Sequence, residues 1–460
     1  MKPLDPRRAA VDLVTRVEDT RAFLEPLLAN LLERAPAARD EDRGLLTELA
    51  YGTLRLRNRL DWILDRFLRG NAATLDPGLR NILRVALYQL FCMDRVPSYA
   101  AVNEAVKLAK RRYPGRDALV NGLLRNALRQ AEKLSFPDRE NDPVEFAVRY
   151  HSHPRWLVKQ WIDEYGPGET LELCEANNRT PPFTLRVNRL KITVEEAIRS
   201  LSDEGFSAAA GHWSPDGVIL ERRGVPPRKL SLLEEGYLQV QDEASQLVSF
   251  LVAPRPGERV LDLCSGVGVK AVHLAAMMEN RGTIVAVDRN GRKLEAGRVR
   301  AHAAGATIIE HYPADAVELT GSGLLGKFDR VLLDAPCSGL GTVRRKPEIR
   351  WFTGEGDIGE AAALQERLLR SGADCLKPGG VLVYATCAMS RRENEDVVRT
   401  FLEQHSFFEL RRPGPPVSDA MIDDEGFFRT LPHRHGTDGF FGAVLAKRDP
   451  GQAAVPEITD

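Results

Sequence analysis

The spacing of apolar residues predicts an all-helical N-terminal region. Segments such as "RRAAVDLVTRVEDT" and "PGLRNILRVALYQLFCM" carry apolar residues at helical spacing, and Pro or Gly separates them. We therefore predict a helical domain over residues 1–134. A connector rich in Pro and charge, "SFPDRENDP", follows it and marks a domain boundary.

The pattern changes twice after this connector. Residues 144–235 mix helical segments with short strands such as "FTLRVN" and "GVILE", which predicts a small α+β domain. From residue 236 to 447, buried apolar strands such as "RVLDLC" and "FDRVLLD" alternate with helices, which favours a doubly wound parallel sheet. The tail, 448–460, is rich in Pro, Ala and acidic residues and is expected to be disordered.

Composition narrows the class of protein. The 64 Lys and Arg residues balance 65 Asp and Glu, which argues against a globally basic nucleic-acid binder but leaves room for local basic patches. No apolar run reaches the ~18 residues of a membrane span, and the N-terminus lacks a secretory signal, so we expect a cytoplasmic protein. The six cysteines form no C-x-x-C pair, and His433 and His435 are interpreted as exposed loop residues, so no metal site is predicted.

A candidate cofactor pocket follows from the polar residues at strand ends. In "VLDLCSGVGVK" a strand ends at Asp262, and Gly266 and Gly268 let the backbone pass close to a ligand. Asp288, at the end of the next strand, is placed to accept hydrogen bonds from ribose hydroxyls. Dinucleotide binders use the same device, but the turn lacks G-x-G-x-x-G, and S-adenosyl-L-methionine fits better than NAD.

Two further strand ends carry thiols. Cys337 follows a strand that ends near Asp334, and Cys387 follows the strand "VLVYAT". Either cysteine alone would be interpreted as an inert buried thiol. Together with a carboxyl they suit addition of a thiolate to C6 of cytosine, which activates C5 as a nucleophile. The basic residues that follow are predicted to hold RNA phosphates: Arg344, Arg345, Lys346 and Arg350.

These motifs resemble a known family. "DAPCSGLGTVRRKPEIRW" and "YATCAMSRRENEDVV" resemble motifs IV and VI of the RNA cytosine-C5 methyltransferases, and "GYLQVQDEASQLV" is also similar to that family. "RRAAVDLVTRV", "ELAYGTLR" and "VNEAVKLAK" resemble the NusB-like RNA-binding domain. The order NusB-like domain, small RRM-like α+β domain and class I, Rossmann-like methyltransferase domain is that of the bacterial Sun/RsmB-type 16S rRNA enzymes.

The resemblance implies roles for individual residues. Cys387 corresponds to the nucleophile of motif VI, Cys337 to the cysteine that assists product release, and Asp334 to the aspartate between cofactor and base. Asp288 would hold the ribose and Asp315 the adenine amino group. The cofactor turn would comprise Cys264, Ser265, Gly266, Val267, Gly268, Val269 and Lys270.

One departure from the family concerns that turn. The family reads D-x-C-A-A-P-G-G-K, whereas this chain reads "DLCSGVGVK", with Val267 in place of Pro and Val269 in place of Gly. A side chain at residue 269 should crowd the turn if its φ must be positive.

The resemblance implies methylation of cytosine C5 in 16S rRNA, at the site equivalent to cytosine 967 of that family. The expected partner is 16S rRNA or an early small-subunit particle, and nothing in the sequence demands more than a monomer. Two alternatives remain open: an RNA-binding assembly factor that has lost turnover through the altered turn, and a methyltransferase for tRNA or another rRNA site.

Overall fold

The computed structural model describes residues 4–68, 70–221, 230–319 and 321–449. The chain forms two compact units. Unit 1 comprises Met1–Thr180 and Val343–Thr353, and unit 2 comprises Pro181–Thr342 and Gly354–Asp460. Among the described residues no helix has both the length and the apolar character that crossing a membrane requires.

Unit 1 is helical, as the apolar spacing predicts. Three of its helices begin at an Asp-Pro pair, where the Asp side chain accepts from the first-turn amides and Pro occupies the first helical position. The core gathers on α5, most of whose residues are buried. The helices are α1 Pro6–Thr20, α2 Leu24–Glu33, α3 Asp40–Arg55, α4 Arg57–Phe67, α5 Pro77–Cys92, α6 Ser98–Arg112, α7 Asp117–Arg129, α8 Pro143–Arg149, α9 Arg155–Tyr165 and α10 Pro167–Ala176.

The compact units divide differently from the predicted domains. Helices α8 to α10 fall within the predicted α+β domain, yet they belong to unit 1. The Arg59 side chain on α4 donates to the Tyr150 carbonyl at 2.6 Å, and the Asn58 amide donates to the Ser152 hydroxyl at 2.8 Å. These bonds fasten the end of α8 to α4. The tail predicted to be disordered lies outside the described residues from position 450 onward.

Unit 2 contains a small antiparallel sheet and a large mixed sheet. The small sheet has the order β2-β3-β1-β4, with β1 Phe183–Val187, β2 Ser207–Ala210, β3 Gly217–Glu221 and β4 Leu238–Val240. Helix α11 accompanies it and begins with a capping box between Thr193 and Glu196. Together these elements form the expected small α+β domain.

The large sheet confirms the Rossmann-like expectation. Its order is β10-β12-β9-β8-β5-β6-β7, with β11 paired to β12. The pairs among β5 to β9 are parallel, and β12 runs antiparallel to β9 as the closing strand. The strands are β5 Arg259–Asp262, β6 Thr283–Asp288, β7 Ile309–Pro313, β8 Phe328–Asp334, β9 Leu376–Thr386, β10 Phe408–Arg411, β11 Phe428–Thr430 and β12 Phe440–Lys447.

Helices flank the large sheet and bury its apolar strands. Leu261 and Val331, on neighbouring central strands, are fully buried. The helices of unit 2, together with α16 from the inserted segment of unit 1, are α11 Val194–Asp203, α12 Ser231–Glu234, α13 Glu243–Val252, α14 Val269–Met277, α15 Gly291–Ala304, α16 Ile349–Phe352, α17 Glu355–Cys375, α18 Glu395–Gln404 and α19 Pro432–His435.

Candidate active site

The predicted site residues of unit 2 gather at one edge of the large sheet. Asp262, Asp288 and Asp334 are the last residues of β5, β6 and β8, and Cys387 follows the last residue of β9. These strands are parallel neighbours, so their carboxyl ends meet at the same edge. Asp315 lies two residues beyond β7 at an exposed position, where its carboxylate accepts from the Val317 amide at 3.0 Å.

The cofactor turn takes its shape from two glycines. Gly266 and Gly268 have φ of 58° and 75°, in the left-handed region that favours glycine. Val269 has no positive φ; it is the first residue of α14, so its side chain brings no backbone strain. The condition for crowding at residue 269 is therefore not met, because the positive φ falls on Gly268 instead.

Hydrogen bonds hold the turn against the ends of β5 and β6. The Ser265 amide donates to the Val287 carbonyl at 2.9 Å, and the Gly266 amide donates to the Asp288 carboxylate at 3.0 Å. The other Asp288 oxygen accepts from the Asn290 amide at 2.7 Å. Cys264 is half-buried, and burial raises the pKa of its thiol, which makes it a poor nucleophile.

A buried carboxyl and an ion pair lie behind the turn. Asp262 is fully buried, and burial, with the neighbouring Asp334, raises its pKa to about 7. The Lys270 ammonium lies 2.5 Å from the Asp334 carboxylate and 5.7 Å from the centre of the Phe440 ring. Lys270 is thus directed from the cofactor turn towards the residue predicted to contact the base.

The two predicted catalytic thiols are in contact. Cys337 Sγ lies 3.3 Å from Cys387 Sγ, and both residues are half-buried. The contact with Cys387, followed by burial, raises the pKa of Cys337 well above its ordinary value. The Gly341 amide donates to the Cys387 carbonyl at 2.8 Å, so the loops after β8 and β9 are joined through the backbone as well.

Several buried polar residues that support these loops were not predicted. Glu393 accepts from the Ser338 amide at 2.7 Å and from its hydroxyl at 2.6 Å, beside Cys337. Gln365 donates to the Pro336 carbonyl at 2.9 Å. Beneath Cys387, the Thr386 hydroxyl donates to the Asn394 side chain at 2.6 Å. Burial raises the pKa of Glu393, although its bonds to Ser338 oppose the rise.

The predicted phosphate-binding residues belong to unit 1, and two of them are buried there. Arg350 is fully buried and donates to the Ser152 carbonyl at 3.2 Å and to the Asn178 side chain at 3.0 Å. Arg344 donates to the Thr180 carbonyl at 3.0 Å. Arg345 and Lys346 are half-buried, and the Lys346 ammonium lies 5.6 Å from the Phe23 ring centre. The structure does not bring these four residues into unit 2.

The histidine pair differs from its prediction. His433 and His435 are half-buried members of α19 rather than exposed loop residues. The His435 ring accepts from the Leu431 amide at 2.9 Å, which fixes it in the fold. Across the described residues, no group of three or more His, Cys, Asp or Glu side chains is arranged to hold a metal ion.

Known proteins match this architecture segment by segment. Residues 249–446 match the family described as 16S rRNA methyltransferase RsmB/F, residues 4–129 the NusB family, and residues 153–226 the ferredoxin-like domain of RsmF/B-like methyltransferases. These matches confirm the NusB-like helical domain, the small α+β domain and the methyltransferase domain in the predicted order.

Whole-chain relatives extend the match. The chain is 35% identical to a probable ribosomal RNA small subunit methyltransferase B of Bacillus subtilis, over 97% of this chain and 100% of the relative. It is 37% identical to ribosomal RNA small subunit methyltransferase B of Pseudomonas syringae pv. tomato, over 98% and 100%. The crystal structure of PH0851 matches with a TM-score of 0.81 at 29% identity, over 97% of this chain and 100% of that one. The chain therefore belongs to the RsmB/F family of RNA methyltransferases, and S-adenosyl-L-methionine is the methyl donor that it uses.

Proposed function

We propose that the chain methylates C5 of a cytosine in 16S rRNA, at the site equivalent to cytosine 967 of the Sun/RsmB-type enzymes. The reaction proceeds through a covalent bond between Cys387 and C6 of the base. The observation that carries the proposal is the 3.3 Å contact between the sulfurs of Cys337 and Cys387. Two thiols in contact beside a carboxylate form the set that a thiolate addition and its reversal require.

The turn after β5 fits S-adenosyl-L-methionine. A side chain built at Gly266 would meet no atom within 4 Å, so open space lies in front of this backbone. The Asp288 carboxylate, at the next strand end, is suited to ribose hydroxyls, and Asp315 to the adenine amino group. When bound, the cofactor supplies a sulfonium methyl group, an electrophile that needs no metal and no redox step.

Cys387 acts first on the base. As a thiolate it adds to C6, the S–C6 bond forms, and the electrons of the C5–C6 double bond become available at C5 for bonding to the methyl group. Asp334 stabilises this adduct by a hydrogen bond or a proton at N3. The Lys270 ammonium, 2.5 Å from Asp334, keeps that carboxyl directed towards the centre of the site.

Cys337 acts in release. After methylation C5 carries one proton that must leave; its C–H electrons then restore the C5–C6 double bond, the S–C6 bond breaks, and Cys387 departs as a thiolate. Cys337 Sγ is in contact with Cys387 Sγ and is the group placed to take this proton. Its raised pKa means that Cys337 rests as a neutral thiol, so its own proton passes to solvent before the sulfur accepts the proton from C5.

The test is methyl transfer from labelled S-adenosyl-L-methionine to unmodified 16S rRNA, to early small-subunit particles and to bulk tRNA, with mapping of the labelled base. A single 5-methylcytosine at the expected rRNA position supports the proposal. Labelled 5-methylcytosine in tRNA or at another rRNA position would contradict the proposed substrate but would still support the proposed reaction. Tight RNA binding without transfer would identify an assembly factor, and label on another atom would overturn the covalent mechanism.

A further inference from the structure

Two arginine side chains hold peptide carbonyls of the cofactor turn. Arg186 donates through Nη1 to the Val269 carbonyl at 2.9 Å, and Arg300 donates through Nη1 to the Val267 carbonyl. These carbonyls belong to the two residues at which this chain departs from the Pro and Gly of the family pattern. No sequence motif indicated either arginine.

Arg186 comes from the small antiparallel sheet. It lies on β1, is 2% exposed, and also donates to the Gln241 side chain. Burial lowers the pKa of Arg186 to about 9, which Asp216 opposes, so the guanidinium remains charged at neutral pH. A buried charge is retained where its hydrogen bonds compensate for lost hydration, and here one of those bonds is to the first residue of α14.

Arg300 reaches the turn from the other side. It lies on α15, the helix that follows Asp288, and its side chain is half-buried. Its Nε donates to the Gln239 side chain at 2.9 Å, and Gln239 belongs to β4 of the small sheet. Both arginines therefore connect the cofactor turn to the small sheet, Arg186 directly and Arg300 through Gln239.

Because the peptide bond is planar, a hydrogen bond that fixes a carbonyl also fixes the direction of the amide in the same peptide plane. The carbonyl of residue 267 shares a rigid plane with the Gly268 amide, and that of residue 269 shares one with the Lys270 amide. The glycines at 266 and 268 give the turn backbone freedom, and no proline at 267 restricts it. Fixing the two carbonyls therefore fixes the shape of the turn, and the Gly268 amide is held as well, because it donates to the Ser265 carbonyl at 2.9 Å.

We propose that Arg186 and Arg300 are positioning residues for S-adenosyl-L-methionine, and that the small antiparallel sheet is through them a structural part of the cofactor site. Further bonds hold the sheet in place at the end of α15. Asn188 donates to the Ala304 carbonyl at 2.8 Å, and Lys191 donates to the Ala303 carbonyl at 2.6 Å. The inference rests on the proposed placement of the cofactor at the 264–270 turn.

The experiment compares the full-length protein with Arg300→Ala, Arg300→Lys and the matched control Arg298→Ala, an exposed arginine on the same helix. Calorimetry gives the dissociation constant for S-adenosyl-L-methionine, filter binding gives that for 16S rRNA, and steady-state transfer gives kcat and the KM for the cofactor. We expect Arg300→Ala to weaken cofactor binding roughly 10-fold, which is the effect of one hydrogen bond to a charged donor.

The changes in KM, kcat and rRNA affinity across these variants distinguish a positioning role of Arg300 from a general structural one. Arg300→Ala should raise the KM for the cofactor while leaving kcat at saturation and rRNA affinity unchanged. Arg300→Lys should recover part of the affinity, because its ammonium can still donate to the Val267 carbonyl. Arg298→Ala should match the unmodified protein.

Two results would overturn the proposal: an unchanged cofactor affinity in Arg300→Ala, or an equal loss of rRNA affinity and thermal stability with no selective change in the KM for the cofactor. Arg186→Lys, which keeps the buried charge, supplies a second measurement with the same expected selectivity. If Asp288→Ala leaves cofactor binding intact, the placement of the cofactor fails instead, and the two failures are distinguishable.

Discussion

The Lys270 ammonium lies 2.5 Å from the Asp334 carboxylate. Lys270 is the last residue of the cofactor turn and lies in the first turn of α14, and Asp334 ends β8, three residues before Cys337. This ion pair therefore connects the proposed methyl-donor site directly to the residue proposed to contact the base. It also balances the buried Asp262, whose pKa Lys270 lowers against the larger effect of burial.

Removing that ammonium should impair catalysis more than binding of RNA. We expect Lys270→Met to lower kcat about 10- to 100-fold, because a charge-assisted hydrogen bond of this kind contributes roughly 1.5–3 kcal/mol. Since the two residues act as a pair, the double variant Lys270→Met/Asp334→Asn should be no slower than the slower single variant. Single-turnover methyl transfer measures all three variants. Additive losses would show that Lys270 acts independently of Asp334.

Cys387→Ala should abolish methylation and leave S-adenosyl-L-methionine binding intact. Without the sulfur no bond to C6 forms, so C5 remains too weak a nucleophile to accept the methyl group. Labelled transfer and calorimetry on the same preparation check both halves of this expectation. Cys92→Ala, at another half-buried thiol, is the matched control. Normal turnover by Cys387→Ala would remove it from the role of nucleophile.

Cys337→Ala should trap the protein on its RNA. Addition and methyl transfer need only Cys387, whereas release needs a group that takes the C5 proton beside it. We expect a covalent protein–RNA species that survives denaturing electrophoresis, grows with time and requires S-adenosyl-L-methionine. The Cys337→Ala/Cys387→Ala double variant should form none. Rapid turnover of Cys337→Ala without accumulation would assign release to another base.

The strand-end residues could be predicted from sequence because each follows a buried apolar run. Asp288, Asp334 and Cys387 all come directly at or after such runs, and a parallel sheet brings their ends together. Local pattern is enough for this, since strand direction and burial decide where a strand ends.

Buried charges could not be predicted in the same way. Glu393 stands in "SRRENED", which has the composition of a solvated segment, yet it is fully buried under Ser338. Arg350 lies within a motif that resembles the methyltransferase family, yet it is buried among unit 1 helices. In both cases the partners are distant in sequence, so only the tertiary structure shows what satisfies the charge.

The raised pKa of Asp262 predicts a pH-dependent stability. Its folded pKa of about 7 lies above the ordinary 3.8, so between these values the folded protein holds a proton that the unfolded chain has lost. The favourable contribution of Asp262 to the free energy of unfolding is therefore fully present below about pH 4 and is lost as the pH rises through about 7. At pH 8 we expect Asp262→Asn to have a larger free energy of unfolding than the unmodified protein, by on the order of 4 kcal/mol at most, from about 1.4 kcal/mol per pKa unit. Its melting temperature should be higher accordingly.

The difference in melting temperature between Asp262→Asn and the unmodified protein, measured from pH 5 to pH 8, checks this. We expect the gap to widen as the pH rises. Parallel curves across that range would mean that Asp262 does not titrate there, and a gap that narrows with pH would reverse the sign of its contribution.

Arg350→Met should affect the stability of unit 1 rather than its electrostatic attraction to RNA. The Arg350 guanidinium is fully buried and donates to the Ser152 and Asn177 carbonyls and to the Asn178 side chain. Methionine fills similar volume but leaves these acceptors without their donor, at a cost of about 1–3 kcal/mol for each one left unsatisfied. We therefore expect a lower melting temperature by several degrees.

Salt dependence separates this structural role from a phosphate contact. A side chain that holds a phosphate changes the slope of log K against log salt by about 0.7 to 0.9 when it is removed. Below its melting temperature, Arg350→Met should bind 16S rRNA with an unchanged slope, and the half-buried Lys346, tested as Lys346→Ala, provides the comparison on the same segment. A reduced slope for Arg350→Met with normal melting would return Arg350 to the RNA-binding role that its sequence suggested, because a residue that only satisfies buried carbonyls neutralises no phosphate.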